Sequence, residues 1–327
     1  MIYTLEECCA MVEAQLAKLN IGAGEPANLY APVEYALEAG GKRIRPVLAL
    51  MACNLFGDDI QPALIPAVAL EVFHNFTLLH DDVMDHADIR RNRPTVHRRW
   101  SENVAILSGD AMQVLAYRYL CRAKTELLPA LLEAFSAAAL EVCEGQQYDM
   151  DFERRTDVSI GEYLNMIRLK TAALLAASLK IGALCGGAEQ QNTEALYRFG
   201  VALGLTFQIR DDLLDVYADP RMFGKATGGD ILSGKKTFLL LSALEKADSA
   251  TRRQLLELIG NGEIADGEKI RRATAIYDLL DVRRTAEQAM ETYSSEAMEH
   301  LQAVKIPDAS RKAELKKTAA MLLKRTK

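Results

Sequence analysis

The sequence predicts an all-α fold: a single domain spanning residues 1–327, with about a dozen helices around one shared core. Three observations carry this. Apolar residues recur at helical spacing almost throughout. Alternating strand patterns bounded by turns are nearly absent. The breaks between periodic segments are short, and none reaches the length of a flexible interdomain linker.

The first helix, 4–20, opens on Thr4 with Glu7 three residues on. That is a capping box, in which side chains satisfy free N–H groups of the first turn. Helices follow at 28–40, 42–55 and 61–88, separated by "NIGAGEP" and "GDDIQP". After "RRNRP" the pattern resumes at 100–123 and 128–153. Ser159 with Glu162 makes a second capping box and opens 159–184. "CGGA" precedes a helix at 190–217, and "ADPRMFGKATGGD" precedes one at 231–246. The remaining helices, 249–260, 264–279, 281–303 and 308–325, are set apart by "IGNGE" and "KIPD". No solenoid repeat or low-complexity tract interrupts them. "KTAALLAASLKIGALCGGA" (Lys170–Ala188) is rich in Ala, Ser and Gly. Such a helix is either closely packed by its neighbours or the wall of a cavity.

Composition narrows the function. Half the residues are hydrophobic, 26% are charged and the net charge is −6, so no broad basic surface invites nucleic acid or an anionic membrane. Six scattered cysteines lack C-x-x-C pairing and read as small core residues in a reducing compartment. The first residues are amphipathic and acidic, without the basic start of a signal peptide. No apolar run is read as reaching the roughly 18 to 20 residues of a membrane span. The expectation is a cytoplasmic protein with no stable membrane insertion.

Two acidic motifs stand out, "TLLHDDVMD" (Thr77–Asp85) and "TFQIRDDLLD" (Thr206–Asp215). On a helix, positions i and i+4 share a face. Asp81 and Asp85 therefore align, with Thr77 and His74 on the same stripe, and Asp82 is turned aside. Asp211 and Asp215 repeat this, with Gln208 and Gly204 in line. The flanks are apolar. Carboxylates against apolar surface are unfavourable unless something positive neutralises them. Oxygen ligands in small number suit Mg²⁺, which takes the rest of its shell from water and substrate phosphates. No His/Cys cluster has zinc spacing.

Cations lie at the chain's bends. "GGKRIRP" places Lys42, Arg43 and Arg45 at a helix start, where free N–H groups favour anions. "DIRRNRPTVH" brings Arg90, Arg91 and Arg93 just past the first aspartates. Lys170 and Thr171 open the small-residue helix, and Lys225 and Lys235 flank the glycine-rich segment after the second motif. In an acidic protein this pattern fits an anionic substrate.

Together these stretches resemble the trans-isoprenyl diphosphate synthases, the polyprenyl synthetases. The likeness runs from about residue 30 to 300. It rests on "GGKRIRP", "HNFTLLHDDVMD" followed by "RR", "GQ" at Gly145–Gln146, "KT" at Lys170–Thr171, and "FQIRDDLLD" with a later "GK". The resemblance implies an all-α bundle around a central cavity, a homodimer, and head-to-tail prenyl transfer with three Mg²⁺ per active site. It implies that Asp81 and Asp85 bind two ions and Asp211 a third, supported by Asp212 and Asp215. It assigns Arg90, Lys170, Gln208, Lys225 and Lys235 to the allylic diphosphate (dimethylallyl, geranyl or farnesyl). Lys42, Arg45, His74 and Arg91 fall to isopentenyl diphosphate, and Thr171 lines the cation's path. Asn92 departs from the pattern, which has glycine after the two arginines.

The residues one turn before the first aspartate, Phe76 and Thr77, set the cavity floor in this family. A ring at Phe76 leads to farnesyl or geranylgeranyl diphosphate as product. "ADPRMFGKATGGD" and the tail "LKRTK" are lid candidates. A terpene cyclase is disfavoured by "DDLLD", a regulatory subunit by the presence of both motifs, and an inert metal scaffold by the surplus of cations.

Overall fold

The computed structural model describes residues 1–218 and 227–324. It is all-α, with helices α1 (Leu5–Ala17), α2 (Ala27–Glu38), α3 (Ile44–Asn54), α4 (Gln61–Met84), α5 (Val96–Arg99) and α6 (Glu102–Leu120) in the first part of the chain. Then come α7 (Leu128–Glu153), α8 (Ile160–Ile167), α9 (Ala173–Cys185) and α10 (Gln190–Tyr217). The last are α11 (Gly229–Ser233), α12 (Phe238–Lys246), α13 (Ser249–Gly260), α14 (Asp266–Leu279), α15 (Val282–Ala303) and α16 (Lys312–Lys324). The chain divides into two compact units. One holds Met1–Ala137, Ala177–Tyr197 and Val304–Leu315; the other holds Ala138–Ala176, Arg198–Ala303 and Lys316–Lys327.

In the first unit α4 is the central element, packed chiefly on α6 and α3. Val68, Leu70, Val72 and Phe73 are fully buried along it. This helix corrects the reading that no apolar segment is long enough to span a membrane. It has 24 residues with a mean hydropathy of 1.4 over its apolar window, and that window is 67% buried inside the protein. Burial of that kind marks a core helix, whose apolar face is satisfied by its neighbours.

The helix also stops earlier than 88. Asp85 is the C-cap, its N–H still bonded to the Asp81 carbonyl at 2.9 Å, and His86 then turns out at φ +52°. The Asp81–Asp85 turn therefore survives, but at the frayed end of the helix. Beyond it lies a two-strand hairpin, β1 (Ile89–Arg90) against β2 (Arg93–Pro94), with Arg90 paired to Arg93. Arg91 and Asn92 fill the turn at φ +51° and +61°. Two positive φ values are what a tight two-residue hairpin turn demands, and Asn adopts them readily. Asparagine thus performs the backbone task of the glycine it replaces.

Both capping boxes form, at Thr4/Glu7 and Ser159/Glu162. The helix expected over 159–184 is interrupted after α8 by a π turn, Arg168–Ala172. That over 231–246 breaks at Gly234, φ +67°, and restarts on the Thr237 cap. In the second unit Tyr163, Ile209, Phe238, Leu239, Tyr277 and Val282 belong to one apolar core. Cys8, Cys53 and Cys185 are buried, whereas Cys121 and Cys143 are exposed; all six are free.

The small-residue stretch resolves as close packing. A Cβ at Gly182 of α9 would sit 2.0 Å from the Ala49 carbonyl oxygen of α3, so the two backbones touch. Gly182→Ala should therefore destabilise the protein by about 1–3 kcal/mol through overpacking. Denaturant unfolding measures this, and an unchanged midpoint would contradict the close approach.

Candidate active site

The first unit gathers the first acidic motif and four of its arginines. Arg90, swung back by the hairpin, donates through Nε to Asp82 Oδ1 at 2.7 Å and lies 3.7 Å from Asp81. Asp82 is buried, which raises its pKa against the opposing pull of Arg90. Asp81 is half-buried and Asp85 exposed, on the stripe the spacing predicts. Arg91 shares its turn with Arg90 but reaches Gly41 instead. A Cβ on Gly41 would meet the Arg91 guanidinium at 2.7 Å, and Gly41 itself has φ +137°. The second glycine of "GGKRIRP" thus admits Arg91 to the start of α3. Lys42 is exposed there.

Arg43 points the other way. Its guanidinium is buried and donates to Glu13, Glu71 and the Leu37 carbonyl at 2.7–2.8 Å. Those bonds hold it at φ +47°, a conformation that costs about 1–2 kcal/mol for a residue with a Cβ. Arg43 is therefore a fastening of the loop. Its anchoring leaves Arg45 two residues further round the helix start, where Nη1 donates to His74 Nε2 at 2.9 Å. Burial and the charges of Arg45, Arg91 and Arg90 hold the His74 pKa well below its ordinary value. His74 is thus neutral, with Nε2 as acceptor. Burial also lowers Arg45 to about 10, still charged at neutral pH. Its Nε is buried with no hydrogen-bond partner among the described residues. A small cleft opens nearby, lined by Tyr35, Asn75, Asp82, Arg90, Arg91 and Thr95 among others.

The second unit holds the second motif. The π turn widens the helix at Lys170 and Thr171, a distortion often found at functional positions. Two glycines make room for it. A Cβ at Gly145 would fall 2.3 Å from the Lys170 nitrogen, and one at Gly204 would fall 2.5 Å from the Ala172 side chain. The "GQ" pair is thus a packing requirement of the lysine turn. Lys170 is bonded to Asp149 at 2.6 Å, and Lys235 approaches the same carboxylate at 3.9 Å. Thr171 donates to Gln208 Oε1 at 3.0 Å.

Asp212 differs from its neighbours. It is buried; Oδ1 accepts from Gln208 Nε2 at 3.2 Å, and Oδ2 accepts from Tyr163 at 2.5 Å and from the Phe238 N–H at 2.9 Å. Burial pushes its pKa up to about 6. Its role here is to tie α8, α10 and α12 together, and both oxygens are engaged within the fold. Asp211 and Asp215 remain half-buried. The backbone N–H of Asp230, at the start of α11, donates to Asp215 Oδ2 at 3.0 Å. Burial, with Asp215, Asp212 and Asp149 adding to it, lifts Asp230 to about 7.

Among the described residues no three His, Cys, Asp or Glu side chains gather closely enough to hold a metal unaided. A pair of carboxylates one helical turn apart still fits Mg²⁺, an oxygen-seeking ion that takes few protein ligands and fills its shell from phosphate and water. Residues 26–277 match the polyprenyl synthetase family model. The chain belongs to the polyprenyl synthetase family. It is a prenyltransferase that joins isoprenyl units head to tail, and neither the cyclase nor the subunit reading is favoured. This polyprenyl synthetase is 42% identical over 240 residues to a geranylgeranyl diphosphate synthase of Methanosarcina mazei, covering 73% of this chain and 72% of that one. It is 44% identical over 250 residues to a short chain isoprenyl diphosphate synthase of Methanocaldococcus jannaschii, covering 76% of each. A crystal structure of a geranylgeranyl pyrophosphate synthase superimposes with a TM-score of 0.94 at 40% identity, over 99% of both chains.

In this polyprenyl synthetase the sequence-assigned residues fall into two sets. Arg45, His74, Asp81, Asp85, Arg90 and Arg91 lie in the first unit, with Phe76 and Thr77 on the same helix as the aspartates. Lys170, Thr171, Gln208, Asp211, Asp215 and Lys235 lie in the second. Lys225 and the core of the "ADPRMFGKATGGD" segment lie outside the described residues, as does the end of the tail. Sequence reading missed Asp149, Tyr163 and Asp230. Asp149 follows "GQ" closely and Asp230 follows two glycines, but neither repeats at helical spacing.

Asp230 yields a pH signature. It ionises near its folded value of about 7, whereas in the unfolded chain it ionises near the ordinary carboxylate value of about 4. Between those values the folded state binds more protons, so this group removes stability as pH rises. Asp230→Asn should therefore be more stable than the parent at about pH 8, with the gain shrinking toward about pH 4. Paired thermal melts read this, and a gap that widens in acid would contradict it.

Proposed function

We propose that this polyprenyl synthetase condenses isopentenyl diphosphate with allylic diphosphates up to farnesyl diphosphate, releasing geranylgeranyl diphosphate. It works with Mg²⁺, three ions per active site, as a homodimer in the cytoplasm. The observation that carries the substrate class is Arg45: a buried guanidinium with an unpartnered Nε beside a neutral histidine. A buried donor without a partner is unfavourable by about 1–3 kcal/mol. An arriving diphosphate oxygen would supply the acceptor. Lys42, Arg45, His74 and Arg91 then hold isopentenyl diphosphate.

On this reading Asp81 and Asp85, and separately Asp211 with Asp215, are the metal ligands. Asp212 supports them through packing. Bound there, Mg²⁺ supplies positive charge to the diphosphate as it leaves. Arg90, Lys170, Lys225 and Lys235 hold the allylic diphosphate, while the Gln208 amide, expected beside them, is engaged with Thr171 and Asp212. Lys170 and Lys235 both approach Asp149, and they turn from it to the incoming phosphates. With the charge of the leaving group met, the allylic C–O bond breaks. The double bond of isopentenyl diphosphate attacks the resulting carbon, and its lost proton passes to the released diphosphate. Positioned charge in a site shielded from water is the main lever for such ionisation.

Chain length follows from Phe76. Its ring is 7% exposed and packs at a tilt against Phe73 and edge-on against His80, with centroids 5.3 and 4.8 Å away. A ring so braced makes a firm stop. The homodimer reading draws on Ile106, Leu107 and Val114, apolar residues of α6 that are 40–60% exposed.

Asp81→Ala or Asp211→Ala should each lower kcat by roughly two orders of magnitude, as loss of one transition-state ligand does. Near-normal turnover by either variant would remove the metal assignment. Phe76→Ala opens about one helical turn, about 5.4 Å or one isoprene unit. Chromatographic sizing of its products should show a shift to chains one unit longer, and an unchanged distribution would place the floor elsewhere.

A further inference from the structure

The second unit contains a chain of hydrogen bonds with a fixed direction. The backbone N–H of Phe238 can only donate, and it donates to Asp212 Oδ2 at 2.9 Å. Tyr163 donates to the same oxygen at 2.5 Å. The other oxygen, Oδ1, also accepts. Gln208 supplies its Nε2 at 3.2 Å, and the amide is thereby committed, with Oε1 turned the other way. Oε1 is an acceptor, and the group it meets at 3.0 Å is the hydroxyl of Thr171. A hydroxyl has one proton, and Thr171 spends it on Gln208. No donor reaches the Thr171 oxygen among the described residues, so its lone pairs stay available on the side away from Gln208. Tyr163 and Asp212 are buried, which keeps water from supplying alternative partners at that end of the chain.

We infer that Asp212, braced by Tyr163 and Phe238, is a positioning residue that sets the polarity of Thr171: it makes Thr171 present lone pairs, and not its proton, to the carbon that becomes cationic. The inference rests on the reading that Thr171 lines the path of the allylic cation. It gives the second aspartate of "DDLLD" a task different from metal binding. A hydroxyl offering its oxygen stabilises positive charge, whereas one offering its proton repels it.

One substitution inverts the chain. In Asp212→Asn, Tyr163 and Phe238 hold the side-chain oxygen, so the new amide donates toward Gln208. Gln208 must turn its oxygen to that donor and its NH₂ to Thr171. Thr171 then accepts, and its proton is released toward the substrate. Adding Gln208→Glu restores an acceptor to both neighbours at unchanged net charge.

The test compares two probes bound to the full chain with Mg²⁺. One is an aza analogue of geranyl diphosphate, with an ammonium centre where the cation forms; the other is geranyl thiolodiphosphate, neutral there. Asp212→Asn should weaken the ammonium probe about ten- to a hundredfold, the range of a hydrogen bond to a charged group, and the neutral probe less than about threefold. Asp212→Asn/Gln208→Glu should recover most of the loss. If Asp212→Asn does not fold, Gln208→Leu, which removes the acceptor of the Thr171 proton, should show the same selective weakening. Equal loss of both probes, or no recovery in the double variant, overturns the inference. Failure of the parent protein to bind either probe overturns the functional reading instead.

Discussion

The structure depends on one constraint: charged groups held against apolar surface must be met by opposite charge or by hydrogen bonds. Removing an ion from water is unfavourable by several kcal/mol even after relaxation. Several charged groups beside the two acidic motifs have such a local partner. Asp82 has Arg90, Lys170 has Asp149, and Asp212 has Tyr163 and a backbone N–H. Arg43 and Glu71 close a buried pair that pins the start of α3. The partners are of two kinds. Those of Arg43 and Asp212 are buried and permanent, and they shape the backbone. The pairs of Lys170 and Arg90 leave the cation partly open to solvent, and on the proposed reading that cation exchanges its partner for a substrate phosphate.

This division explains why backbone distortion collects beside the charged residues in each unit. Arg43 and Arg91 both take positive φ, and Lys170 and Thr171 sit in a π turn. Such conformations persist only where surrounding bonds over-determine them. Three hydrogen bonds hold Arg43, a two-residue hairpin holds Arg91, and the close backbones at Gly145 and Gly204 hold the π turn. The glycines of the sequence motifs are spacers that let these distortions exist.

Much of this was legible in the residues themselves. The helical period of α4 and α10 placed Asp81 with Asp85 and Asp211 with Asp215, because a helical stripe depends on spacing alone. Helix ends were less legible: α4 stops at Met84 because His86 leaves the helical region, which no apolar pattern announces. The hairpin was invisible, since two-residue strands carry no period. The π turn was hidden for a similar reason, as nothing in "RLKTA" marks an extra residue in the turn. Asp149, Tyr163 and Asp230 were missed because their roles arise from contacts between residues 15 to 49 apart in the chain. The difference between Asp212 and Asp211 has the same origin, as identical side chains acquire different tasks from what packs on them.

The account stands or falls on whether these charges serve a metal-dependent condensation of two diphosphates. The direct measurement incubates the purified chain with isopentenyl and farnesyl diphosphates, with Mg²⁺ or with a chelator, and follows both prenyl product and released diphosphate. The account predicts geranylgeranyl diphosphate and diphosphate in equal amounts with Mg²⁺, and neither with the chelator. Condensation that proceeds equally well in the chelator, or none in the presence of Mg²⁺, would contradict it.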